Sequence, residues 1–313
     1  MRKWVAGLVL AACSGSDPGS GSGARSGPDR PATSGGSAVG GPRKDAPVLA
    51  GTTPLAGWDG KLTMYALVSP IPGIASRNVT VLVPPGYADP AAAGRRYPVL
   101  YMQDGQNCLE HDSYGHGGWQ VHEVSYDLAT RGLMAPAIFV LIESKKPTRT
   151  AELNPGAGRA PGPTAEGYLD FIEHTVMPFV EARYRTAPGP ANRGLGGASY
   201  GAILALHGAW TRPRTFGLVL AMSTAFDAYD FIAAARAGKR PEPAPRIYID
   251  SGTTDYDGGD DDRAKTILLR DALVGLGYTL GVDLAYDVGE GHSHSEDYWR
   301  SRLPGALSFL FPP

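Results

Sequence analysis

A mostly parallel α/β sheet with helices on both faces is the fold class this sequence predicts, and three observations carry it. From residue 98 onward, short apolar runs alternate with longer amphipathic ones, the rhythm of strand following helix. The short runs, such as 137–143 and 216–222, are apolar at nearly every position, so both faces of the sheet must be covered. One of them runs into Gly194-Leu195-Gly196-Gly197-Ala198-Ser199-Tyr200-Gly201-Ala202, a glycine-rich turn that opens a helical stretch.

Taken in order, 62–68 and 79–83 read as strands around a Pro/Gly turn, an antiparallel opening that stops at Pro84-Pro85-Gly86-Tyr87. Strand 98–102 is then followed by a helical pattern at 119–133, strand 137–143 by an amphipathic helix at 167–184, and the serine turn by a helix at 202–210. Strand 216–222 pairs with helix 226–236, strand 246–250 with helix 263–276, and strand 280–288 with a closing helix at 299–311. No internal repeat and no second linker interrupts 48–313, which reads as one domain.

The start of the chain reads differently. Arg2 and Lys3 precede a short apolar run, 4–12, too short to span a bilayer. It ends in Leu10-Ala11-Ala12-Cys13, which resembles a bacterial lipoprotein lipobox and implies that Cys13 carries lipid. Residues 14–47 are mostly Gly, Ser, Pro, Ala and Arg with almost no large apolar side chain, a flexible linker that cannot offset its ordering entropy. The expected location is outside the cytoplasm, attached to a bacterial outer membrane or cell surface only through that lipid. A net charge of −2 gives no basis for nucleic-acid binding, and two cysteines in unlike contexts, Cys13 and Cys108, give none for a disulfide framework.

Within the serine turn, Gly197, Ser199 and Gly201 form Gly-x-Ser-x-Gly. A serine between strand and helix can sit on a bend tight enough to lift its hydroxyl above the sheet, with backbone N–H groups of the new helix pointing at the same spot. Glycine supplies 42 of 313 residues, so the pattern alone is weakly specific and context has to decide. A serine nucleophile needs a base, and the base needs orienting. At the end of strand 246–250 stands Asp255, with Asp257 as its rival in a loop that also holds Asp260, Asp261 and Asp262. At the end of strand 280–288 stand His292 and His294. Ser, Asp and His, in that order and each at the end of an expected strand, follow the chain order of an α/β-hydrolase triad.

These residues, together with Arg77-Asn78-Val79-Thr80-Val81-Leu82-Val83-Pro84-Pro85-Gly86-Tyr87, Tyr97-Pro98-Val99-Leu100-Tyr101-Met102-Gln103-Asp104-Gly105-Gln106-Asn107 and Arg149-Thr150-Ala151-Glu152-Leu153-Asn154-Pro155, resemble an esterase branch of the α/β-hydrolases. That branch includes esterase D, ferric-enterobactin, feruloyl and acetyl-xylan esterases and mycolyltransferases, and the 149–155 stretch is most similar to its enterobactin-esterase-like group. The resemblance implies Ser199 as nucleophile and His294, five residues before Trp299, as general base. Asp255, nearest the strand end, is the expected orienting acid, although some members work with a Ser-His pair. The oxyanion hole is expected from the backbone N–H groups of Tyr200 and Gln106.

Arg149 and Glu152 read as loop residues that either pair with each other or contact substrate. His111, Asp112, His116 and His122 match no zinc spacing, the acidic loop after Asp255 lacks EF-hand spacing, and no metal or other cofactor is expected. Cys108 reads as a small buried residue. The resulting expectation is a serine carboxylic-ester hydrolase with an acyl-enzyme intermediate, acting on a small-molecule ester such as a siderophore lactone or an acylated sugar. Its alternatives are acyl transfer of the mycolyltransferase type and a surface lipoprotein that binds without catalysis.

Overall fold

Alternation along the strands decides the architecture. In β4 (Val99–Met102), Val99 and Tyr101 face one buried cluster while Leu100 and Met102 face another. In β5 (Ile138–Ile142), Ile138, Val140 and Ile142 join the first cluster, and Phe139 and Leu141 the second. A strand whose two sides both enter a core must lie in the middle of a three-layer stack. The computed structural model of the chain describes residues 48–54, 62–110, 115–156, 164–255 and 258–313. The expected lipid signal, Cys13 and the linker 14–47 lie outside them, as do His111, Asp112 and Asp257.

The remaining strands are β1 (Val48–Pro54), β2 (Leu62–Leu67), β3 (Arg77–Leu82), β6 (Arg193–Ser199), β7 (Leu218–Thr224), β8 (Arg246–Gly252) and β9 (Leu284–Gly289). They form a nine-stranded sheet ordered β1-β2-β3-β5-β4-β6-β7-β8-β9. β1, β2 and β3 are antiparallel, β3 meets β5 antiparallel, and every pair from β5 to β9 is parallel. The fold class expected from the sequence is the one observed; β1 extends the antiparallel edge beyond what the sequence reading placed there.

One core face is covered by α3 (Ala165–Phe171), α4 (Met177–Glu181), α5 (Tyr200–Thr211), α6 (Phe231–Ala237) and α7 (Arg263–Gly275), the other by α1 (Val121–Thr130) and α8 (Glu296–Leu310). A further short helix, α2 (Arg149–Leu153), stands where the sequence suggested a loop. The single helix expected over 167–184 is interrupted by a π-helical turn, Ile172–Val176. Pro178 has no N–H to continue the α-helical ladder, and the wider turn just before it absorbs the mismatch. Helix α6 begins at Phe231 rather than 226, because the Asp230 side chain accepts the N–H of Ala233 and caps it there.

The chain leaves β4 toward α1 on one face and leaves β6 toward α5 on the other, although β4 and β6 are neighbours. A crevice opens where adjacent strands send their connections to opposite sides, beyond the carboxyl ends of the strands. Ser199 ends β6 at that crevice, and Gln103 to Asn107 follow β4 into it.

Candidate active site

Ser199 has φ of 57° and ψ of −122°, a backbone conformation that L-residues avoid and that persists only where its surroundings enforce it. The enforcement is steric. A Cβ on Gly197 would lie 2.9 Å from the Cα of Gly201, and one on Gly201 would lie 3.1 Å from the Cβ of Gln103. The two motif glycines therefore let the strand and the first turn of α5 close onto each other, and the bend lifts Ser199 into a cavity of about 580 Å³. His294, Gln106, Arg149, Trp119 and Trp299 also line it. A second hollow of about 550 Å³ lies at the opposite, amino-terminal ends of the strands, beside Arg95, Arg246 and Asp283. Sheets of this type bind ligands at their carboxyl ends, so the cavity at Ser199 is the candidate site.

His294 precedes α8, which starts at Glu296 and carries Trp299 in its first turn. The indole stands edge-on to the imidazole at 5.1 Å. His294 Nδ1 lies 2.6 Å from Oδ1 of Asp261, a carboxylate that is 3% exposed. This corrects the expected acid: the carboxylate at His294 belongs to Asp261 and not to Asp255. Proximity to the strand end in sequence misleads here, because the N–H groups of Thr253 and Thr254 are both held by the carbonyl of His292. The chain then runs outward and doubles back through Asp261 and Asp262, both with positive φ. That return brings Oδ2 of Asp261 within 2.6 Å of the Gly252 N–H it had left behind. Asp255 instead belongs to the outer turn, where its carbonyl accepts from Gly258 N–H. His292 turns away: its ring stacks on Tyr298 at 4.7 Å and its Nδ1 lies 3.2 Å from Nη1 of Arg302.

The two residues expected to supply backbone donors, Tyr200 and Gln106, line the same cavity as Ser199. Tyr200 opens α5, and Gln106 sits in the short 3₁₀ turn Gly105–Asn107 after β4. That turn is tightly determined. A Cβ on Gly105 would lie 2.5 Å from the backbone of Leu141 and Ile142, and Asp104 takes a left-handed φ of 52°. The Asp104 carboxylate accepts from Ser144 Oγ at 2.6 Å, from Arg149 Nε at 2.7 Å and from Arg149 Nη2 at 2.8 Å. The Gln106 amide grips Ser144 from the other side, donating to its Oγ and accepting its N–H, each at 3.0 Å. The loop after β5 thus clamps the loop after β4.

Arg149 therefore lines the cavity while paired with Asp104, and its guanidinium lies 5.6 Å from the centre of the Tyr200 ring. Glu152 does neither thing expected of it. It is fully buried and bidentate to Arg77, with Oε2 at 2.9 Å from Nη1 and Oε1 at 2.7 Å from Nη2. On one turn of α2, Arg149 and Glu152 point to different partners. Arg77 sits in a buried strand and needs a carboxylate far more than an exposed arginine does. Losing one member of such a pair costs about 3–5 kcal/mol, so Glu152 is a fold residue rather than a substrate contact.

Other polar groups near the cavity are also engaged. Glu296, buried, accepts from Asn107 Nδ2 at 2.9 Å and lies 3.0 Å from His116 Nδ1. Cys108 is buried, and burial, with Asp104 and Glu296 nearby, pushes its thiol well above the ordinary range, which keeps it from acting as a thiolate. Among the described residues, Glu110, His122 and Glu123 are the one group whose ligand atoms approach within 4.8 Å of one another. Both glutamates there are exposed, and burial lowers the pKa of His122.

The family model Esterase, described as "Putative esterase", matches residues 75–310. The siderophore triacetylfusarinine C esterase of Aspergillus fumigatus is 31% identical over 136 residues, which is 40% of this chain and 43% of that protein. This chain thus spans less than half the length of the curated relatives it matches. Among solved structures, the enterobactin esterase of Shigella flexneri superimposes with a TM-score of 0.59 at 17% identity, over 80% of this chain and 58% of that one. A ferulic acid esterase superimposes with a TM-score of 0.63 at 19% identity, over 80% and 98%. At those identities the structures speak for the shared fold. The family match spans well over half of the sequence and includes β3 to α8 with every residue of the cavity, so the chain belongs to this esterase family of the α/β-hydrolase type.

Proposed function

We propose that the chain is a serine carboxylic-ester hydrolase in which Ser199, His294 and Asp261 act as the triad. The observation that carries this reading is the 2.6 Å contact of His294 with a buried carboxylate, in the cavity that a strained serine turn enters. Ser199 Oγ attacks the ester carbonyl carbon as His294 Nε2 takes its proton, and Asp261 holds Nδ1–H and stabilises the imidazolium. The carbonyl oxygen becomes an oxyanion facing the N–H groups of Tyr200 and Gln106. Collapse expels the alcohol, which takes the proton from Nε2 and leaves an acyl-Ser199. Water, deprotonated by the same imidazole, then releases the acid and restores the serine.

A siderophore ester is the substrate class we favour. Both curated relatives are named as siderophore esterases. The cavity offers the rings of Trp119, Trp299 and Tyr200 with the cations of Lys146 and Arg149, a lining suited to aromatic, anionic groups.

The acid assignment is tested by comparing Asp261→Asn with Asp255→Asn on a short nitrophenyl ester. Asparagine keeps the shape and removes the charge that holds the imidazolium, so Asp261→Asn is expected to lower kcat by about 10²–10⁴-fold. Asp255→Asn should leave it nearly unchanged. Equal small effects at both positions would point to a Ser-His pair working without an acid.

We further infer that the chain is tethered through lipid on Cys13. Among the described residues no helix is long and apolar enough to cross a membrane, and the support for a tether is the Leu10-Ala11-Ala12-Cys13 sequence with the linker behind it. Wild-type protein should partition with membranes, and Cys13→Ala should be released or left unprocessed. Soluble wild-type protein with an intact N-terminus would refute the tether.

A further inference from the structure

The acid at His294 comes from a loop that has doubled back, and such a carboxylate must be aimed by something other than a strand. One of its oxygens faces His294; the other, Oδ2, accepts the Gly252 N–H and the hydroxyl of Ser223, both at 2.6 Å. Ser223 lies near the carboxyl end of β7, is 1% exposed, and has a φ of 44°, a left-handed conformation that a serine adopts only under constraint.

The hydroxyl of Ser223 has no choice of direction. Its oxygen accepts from Trp299 Nε1 at 2.9 Å and from Arg302 Nη2 at 3.0 Å. Both lone pairs are then occupied by donors that cannot accept, so the single hydrogen must go to the nearby acceptor, Asp261. Arg302 is itself fixed. Its Nε donates to Asp250 Oδ2 at 2.9 Å, and Asp250 Oδ1 also receives the N–H of Ser223 at 3.1 Å. Ser223, Asp250, Asp261 and Arg302 are all buried, so water does not compete for these bonds. Trp299 and Arg302 both stand on α8, the helix that His294 leads into. The same helix that delivers the base therefore orients the serine that aims the acid.

We propose that Ser223, held by Trp299 and by the buried Arg302–Asp250 pair, is a positioning residue that acts on His294 through Asp261. This rests on the triad reading above. Ser223 does not line the substrate cavity, so its effect should fall on kcat and leave KM alone.

A double-mutant cycle separates this role from general structural support. Ser223→Ala is expected to lower kcat by about 10–100-fold with KM unchanged, the range typical of outer hydrogen-bond partners. In an Asp261→Asn background, the same substitution should change kcat little further, because the group through which it acts is gone. Ser223→Cys, which is slightly larger and keeps only a weak donor, should fall between serine and alanine, and it carries the cycle if the alanine variant does not accumulate in folded form. If Ser223 variants lose the same factor in both backgrounds, or lose it in KM, the inference is overturned while the triad stands. If Asp261→Asn alone turns over like wild type, the triad acid and this inference fall together.

Discussion

Ser199→Ala is expected to lower ester turnover by roughly 10³-fold or more, with the fold intact. The substitution removes one oxygen atom, and alanine meets the same backbone constraint at φ of 57° as serine does, imposed by Gly197 and Gly201 rather than by the side chain. What disappears is the covalent route, since no acyl group can be carried on a methyl. What remains is the proposed oxyanion hole, the N–H groups of Tyr200 and Gln106, and the cavity walls. A residual rate above the uncatalysed one therefore measures the oxyanion hole and binding alone. A fluorophosphonate probe reads the same change directly, because it labels an activated serine: wild type should be labelled and Ser199→Ala should not. Labelling that survives the substitution would move the nucleophile elsewhere, and unchanged hydrolysis would remove the acyl-enzyme reading altogether.

What the sequence made legible, and what it hid, follows the range of the interactions involved. The strand-to-helix turn at Ser199 was readable because its cause is local: glycines at 197 and 201 permit one bend, and apolar runs on either side name the elements it joins. Asp261 was not readable as the partner of His294. Five aspartates between 255 and 262 look alike in sequence, and the one nearest the strand end is the natural choice. The deciding event is a reversal through two left-handed aspartates, together with hydrogen bonds from Gly252 and from Ser223, which lies 38 residues away. The partners of Arg149 and Glu152 were hidden for a related reason. Read as neighbours in a loop, they left mutual pairing or substrate contact open, whereas each is claimed by a partner distant in sequence, Asp104 and Arg77. A usable signal did exist: an arginine at the head of an apolar strand, as at Arg77, requires a buried carboxylate somewhere in the fold. Ser223 left no trace in the sequence, because its importance arises only where β7, α8 and the loop before α7 converge.

The pair His292 and His294 is where sequence register and geometry can be set against each other by experiment. His294 lines the cavity with Ser199, presents Nδ1 to Asp261, and is braced edge-on by Trp299. His294→Ala removes the imidazole proposed to accept the proton of Ser199, so esterase activity should fall by roughly 10³-fold or more, and probe labelling of Ser199 should slow in step. Asp261 keeps its bonds to Gly252 and Ser223, so the buried carboxylate is not stranded and the variant should fold. His292→Ala removes a ring that stacks on Tyr298 and meets Arg302, but it leaves the carbonyl that receives Thr253 and Thr254, and Arg302 keeps Asp250. Most of the activity and labelling should therefore survive in His292→Ala, with the loss appearing, if anywhere, as a lower melting temperature. The opposite pattern, an inactive His292→Ala beside an active His294→Ala, would mean that the imidazole held by Asp261 is not the base and that the loop rearranges when substrate binds.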